Sequence, residues 1–123
     1  MTILECINRI DLVKPNTYTQ DEKVRWLSVI DGLVKKNIID RHEGADAVVF
    51  NGYDKKTELS TVLLVPEPFE EIYLFGLAAR IDYWNGENDK YNDSIDMYNK
   101  VYLEYSKEYT EHHRPITGKR FIF

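Results

Sequence analysis

The sequence predicts a mostly α-helical domain: a small four-helix bundle-like fold, with a long ordered loop or short hairpin between helices 2 and 3 and an extended C-terminal tail. Three observations support this. Apolar residues recur at steps of three and four over long stretches. Two of those stretches open on capping boxes, Thr2 with Glu5 and Thr19 with Glu22. Helix stops follow three of them, at Pro15, at Asn85-Gly86 and at Pro115.

The first helix starts at Thr2, places Ile3, Ile7 and Ile10 on one face beside Leu4, and ends before Pro15. The second follows Thr19, with Asp21 and Glu22 at the positive end of its dipole. Its buried face is Val24, Leu27, Ile30, Val34 and Ile38, and it fades near Arg41-His42 with Gly44 beyond. Trp26 lies off that line, so it either meets a partner or packs at an edge. Residues 43–66 are the least regular part. Ala47 to Phe50 read as an extended piece running into the Asn51-Gly52 turn, and Thr61 to Val65 are rich in β-branched residues. Hairpin and ordered loop both fit, and a connection this long in a small domain is often functional.

Pro68 suits the first position of a third helix, whose apolar residues are Phe69, Ile72, Tyr73, Leu77 and Ile81. Small residues at Gly76, Ala78 and Ala79 let a neighbouring helix come close. The fourth helix runs from about residue 88 to 112. Tyr91, Ile95, Tyr98, Tyr102, Tyr105 and Tyr109 follow one another at spacings of 4-3-4-3-4. That seam reads either as the edge of a bundle core, with rings buried and hydroxyls wet, or as a subunit interface. The domain therefore spans residues 1–112, and residues 113–123 form a basic, aromatic tail with Arg114, Lys119, Arg120, Phe121 and Phe123 and no acid.

Composition narrows the function classes. With 123 residues, 43% hydrophobic and 30% charged, the chain is ordinary for one globular domain. Its one cysteine, Cys6, has no internal partner, and the first residues do not resemble a secretory signal, so a cytoplasmic site of synthesis is expected. No apolar run is long enough to span a bilayer. A net charge of −5 disfavours tight nucleic-acid binding, although the basic tail suits an acidic partner, protein or DNA.

None of the candidate catalytic patterns is complete. The glycines form no phosphate loop, and no Cys/His set has zinc spacing. His112 and His113 are adjacent, so on a helix they diverge by about 100° and suit a helix C-terminus better than a shared metal. Cys6 with His42 lacks an orienting third group and reads as core filler. Glu67, Glu70 and Glu71, like Asp89, Asp93 and Asp96, read as solvated helix faces. The expectation is a protein that is not an enzyme and needs no cofactor.

An ordered set of short motifs adds to this. Ile7-Asn8-Arg9-Ile10-Asp11, Lys14-Pro15-Asn16, Tyr18-Thr19 and Lys23-Val24-Arg25-Trp26-Leu27 come first. His42-Glu43-Gly44, Gly52-Tyr53-Asp54 and the run Leu64-Val65-Pro66-Glu67-Pro68-Phe69-Glu70-Glu71-Ile72-Tyr73 follow. Asp82-Tyr83-Trp84-Asn85-Gly86-Glu87 and Tyr91-Asn92-Asp93-Ser94 close the set. In this order the chain resembles head–tail connector (adaptor, head-completion) proteins of tailed phages and Gram-positive prophages.

The resemblance implies a structural virion protein at the head–tail junction, made in the host bacterial cytoplasm. It implies a ring of about twelve copies beneath the portal protein, closed by a heterologous interface. Such a ring extends the DNA channel and provides a platform for the next head-completion or tail protein. DNA passes through without sequence-specific binding, and no membrane is involved. Under this reading Arg114, Lys119, Arg120, Phe121 and Phe123 dock on the portal or a neighbour. Trp26, Tyr98 and Tyr105 are candidate subunit contacts. Phe50, Tyr53, Asp54, Lys55 and Lys56 form a loop directed to the channel or the next ring. The alternatives are a small helical interaction module without a virion role and a nucleic-acid binder using the tail.

Overall fold

The computed structural model describes residues 1–116. Its first helix, α1 (Ile3–Val13), opens on the expected reciprocal cap. The Glu5 amide donates to Thr2 Oγ1 at 3.1 Å, and the Thr2 amide donates to Glu5 Oε1 at 3.0 Å. That backbone hydrogen bond, helped by the Thr2 side chain, holds the Glu5 carboxyl below its usual range. Ile3, Cys6, Ile7 and Ile10 face inward. Burial pushes the Cys6 thiol up to about 12, the setting of an inert core sulfur.

Helix α2 (Gln20–Asn37) starts where the Glu22 amide donates to Thr19 Oγ1 at 3.2 Å. Its α-helical part stops a turn before Arg41, and a short 3-10 turn, Ile39–Arg41, completes the expected span. Ile38 and Ile39 are both buried there. Helix α3 (Glu71–Trp84) lies among α1, α2 and the last helix. It is buried on most of its circumference, through Ile72, Tyr73, Gly76, Leu77, Ala78, Ala79, Ile81 and Asp82. It begins later than Pro68, because residues 66–72 are tied first by turn bonds, Phe69 N to Pro66 O at 3.0 Å and Ile72 N to Phe69 O at 3.1 Å. Gly86, at φ 73°, takes the left-handed conformation that ends this helix.

Helix α4 (Asn88–His112) has the expected bounds, and its 25 residues give a rod of about 37 Å. The tyrosine seam faces the body, but only Tyr105 is fully buried, so α4 lies across α3 as an outer layer. Its far end is held by His42. The ring's Nδ1 lies 2.6 Å from Ile38 O and its Nε2 2.9 Å from Thr110 Oγ1, and the ring stands edge-on to Tyr109.

Residues 43–66 form an ordered loop, and no hairpin exists among the described residues. The β-branched run turns instead to the N-terminus. Thr2 and Val62 form an isolated antiparallel bridge, the Ile3 amide donates to Thr61 O, and the Leu63 amide donates to Met1 O, both at 3.0 Å. Leu63 and Val65 are thereby buried. The start of the expected tail also belongs to the body. His42 and Pro115 form a bridge, Glu43 N donates to Arg114 O at 2.8 Å, and Ile116 N donates to Arg41 O at 2.9 Å. A boundary at residue 112 therefore does not detach residues 114–116. Lys119, Arg120, Phe121 and Phe123 lie outside the described residues.

Candidate docking groove

Two sites stand out, both built on α2 and α3, and they differ in how completely their polar groups are paired. The first is centred on Asp31, which has no solvent exposure at all. Its carboxylate accepts from Tyr73 Oη at 2.6 Å on Oδ1, and from Tyr53 Oη at 2.6 Å and Leu64 N at 3.0 Å on Oδ2. Tyr73 Oη in turn accepts from Val65 N at 2.7 Å. The Tyr53 amide donates to Ser28 Oγ at 2.9 Å, one turn earlier on α2. Burial raises the Asp31 pKa, against the three hydrogen bonds that favour its charged form. Burial likewise drives both phenols well above their usual range, with Asp31 adding to the effect, so they remain donors. This junction fastens the 43–66 loop to the helices.

Asp31 was not among the candidate residues from the sequence, although its spacing gives a signal. It stands four residues after Leu27 and three before Val34, on the apolar face of α2. Asp82, also fully buried, is a second case: it accepts from Lys14 Nζ at 2.7 Å and Ser94 Oγ at 3.0 Å, joining α1, α3 and α4. Every buried side-chain nitrogen and oxygen among the described residues has a partner.

The second site is a groove of about 450 Å³ where α2, α3 and the first half of α4 meet. Val29, Ile30 and Leu33 form the α2 wall, Gly76, Ala79, Arg80 and Tyr83 the floor and lip on α3, and Tyr91, Ile95 and Tyr98 the α4 wall. Gly76 sets its depth. A Cβ there would stand 2.5 Å from Ile30 Cδ1 and 3.3 Å from the Tyr98 ring, so the three helices approach closely only because the position is glycine. Val29 and Leu33 lie one turn apart, and both are exposed. The Arg80 side chain, half-buried, makes no hydrogen bond or ion pair with any described residue. Burial pushes the Tyr98 phenol up to about 12, outweighing the lowering effect of nearby Arg80, so the wall is neutral at ordinary pH.

The residues expected at interfaces divide between these surroundings. Tyr98 does border the accessible groove. Trp26 and Tyr105 do not offer an interface: Trp26 is 3% exposed and edge-on to Tyr18, and Tyr105 is 4% exposed against Phe69 and Tyr109. Each fills a gap within its own chain, so little ring surface is left for a neighbour. Tyr53, expected to reach outward from the loop, turns inward to Asp31, and Phe50 packs edge-on against it at 5.1 Å between ring centres. Asp54 closes its own turn by accepting from Lys56 N at 2.8 Å and Thr57 N at 3.1 Å. Only Lys55 and Lys56, with Asp54, remain as an exposed loop tip. Arg114 has an exposed side chain beside the paired 41–43 strip.

Among the described residues no group of three or more His, Cys, Asp or Glu converges as a metal site, and no helix is long and apolar enough to cross a membrane. No protein-family model, curated protein or solved structure matches the chain.

Proposed function

We propose that the chain is a structural subunit of a phage or prophage head–tail connector, assembling as a ring on the portal protein, where it extends the DNA channel and receives the next head-completion or tail protein. The observation that carries this reading is the groove. An accessible apolar trough, with an arginine on its lip that no described residue pairs, suits another protein's side chains. The ordered set of connector-like motifs supports it from the sequence side. In this reading the chain has no catalytic role and needs no cofactor, and the net charge of −5 keeps the channel wall from holding DNA. The Lys55-Lys56 loop tip and the Arg114 region offer basic points to the portal or the next ring.

Electron microscopy of the protein mixed with its cognate portal tests the proposal. Rings stacked on the portal are expected. Persistent monomers that do not bind the portal would favour a small helical interaction module without a virion role.

A further inference from the structure

A second cleft, of about 440 Å³, lies between the 43–66 loop, the turns that follow it and the C-terminal end of α4. Its walls are apolar and aromatic: Ile39, Val48, Leu64, Phe69, Tyr105 and Tyr109. Ile39 and Tyr105 are buried, whereas Val48, Leu64, Phe69 and Tyr109 keep part of their surface exposed. The charged lining is acidic. Glu67 and Glu108 border the cleft together with His112 and His113, and no lysine or arginine does. The Glu67 side chain makes no hydrogen bond or ion pair with any described residue. Arg9 shares a neighbouring hollow with it but forms no ion pair, and Glu70 there holds the Met1 amino group at 3.0 Å. Glu108 Oε1 lies 2.9 Å from His112 Nε2, and its side chain is 44% exposed, so its other oxygen can take a further donor.

The described chain ends at the edge of this cleft. Glu43 N donates to Arg114 O and Ile116 N donates to Arg41 O, an antiparallel register. The chain therefore advances from the level of Glu43 to that of Arg41, toward Ile39 in the cleft wall. His113, three residues before this exit, also lines the cleft, with its ring stacked on Tyr109 at 3.8 Å. Arg41 and Arg114, the cations at the exit, are exposed and outside the lining.

The sequence continues Thr117-Gly118-Lys119-Arg120-Phe121-Ile122-Phe123. Two cations followed by three large apolar residues match an apolar cleft with acids on its border, and such an apolar run calls for a cover. Five residues beyond Ile116 reach at most about 18 Å. Tethering at the edge also gives this segment an effective concentration on the order of millimolar, which a second copy in dilute solution lacks. We infer that Phe121-Ile122-Phe123 occupy the cleft of their own chain, with Lys119 and Arg120 facing Glu67 and Glu108. The inference does not depend on the connector reading. Under that reading, a portal that takes these residues must first draw them out.

Nuclear Overhauser spectroscopy on the full wild-type chain tests this. Cross-peaks are expected between ring protons of Phe121 or Phe123 and methyls of Ile39, Val48 and Leu64. An isotope-filtered experiment on mixed labelled and unlabelled chains is expected to show none between copies. Glu67→Lys, at an exposed position, is expected to weaken the cross-peaks severalfold without lowering the melting temperature.

Ring contacts confined to residues 113–120, or made with Val29 and Ile95 in the other groove, would overturn the inference. Cross-peaks found only between copies would overturn it as well, since the occupant would then be a second chain. Unchanged cross-peaks in Glu67→Lys would overturn the pairing of the cations with Glu67.

Discussion

The Asp31 junction and the α2/α3/α4 groove use the same two helices in opposite ways. At the junction each carboxylate oxygen accepts a phenolic hydrogen bond, and one also accepts a backbone amide. In the groove the Arg80 side chain has no partner among the described residues, between apolar walls on three helices. Folding completes the first site and leaves the second open. Stability should therefore be concentrated at the junction, and association at the groove. Substitutions at the two sites should separate these effects.

The largest expected effect is at the junction. Asp31→Ala strands Tyr53 Oη, Tyr73 Oη and Leu64 N in a buried site, and a loss of about 3–5 kcal/mol is expected in urea unfolding. Asp31→Asn keeps the shape and is expected to cost less. The two forms of the residue also give a pH test. A pKa raised by folding means that the native state holds a proton more tightly than the unfolded chain. That contribution is fully present below the unfolded value of about 3.9 and is lost as pH rises through the raised native value. The stability of wild type relative to Asp31→Asn should therefore increase as the solution is acidified through that window. A flat difference would contradict the burial argument.

Gly76→Val comes next, since even a Cβ meets Ile30 Cδ1 at 2.5 Å. Overpacking of this kind costs about 1–3 kcal/mol, and the added methyls also fill the groove floor, so both melting temperature and association should fall. Tyr53→Phe removes one hydrogen bond to Asp31 and is expected to cost about 1 kcal/mol, with faster proteolytic cutting within residues 43–66 than in wild type. At the far end of the scale, Leu33→Asp alters an exposed side chain and should change stability by less than about 0.5 kcal/mol. If Leu33→Asp melted far below wild type, the groove would be part of the fold's own core and the contrast between the two sites would fail.

The sequence made the helices legible because local chemistry announces them. Thr2 and Thr19 cap where expected, and α4 has the expected ends. It did not show what is decided between elements. The start of α3 depends on turns around Pro66, and the Thr61–Val65 run pairs with residues 1–3, far away in sequence. Helical spacing makes Trp26 and Tyr105 interface candidates because it gives a direction, and direction alone does not tell a neighbouring helix from a neighbouring subunit. The groove was half legible. Tyr98 and the small residues Gly76 and Ala79 stand out in the sequence, whereas Val29, Leu33 and Arg80 acquire meaning only once three helices meet.

The most direct measurement is ring counting by electron microscopy on the cognate portal, with wild type and Leu33→Asp compared at equal concentration. Closed rings are expected from wild type and none from Leu33→Asp, with both proteins melting together. Rings of the same size from Leu33→Asp would show that the groove is not where the subunits join.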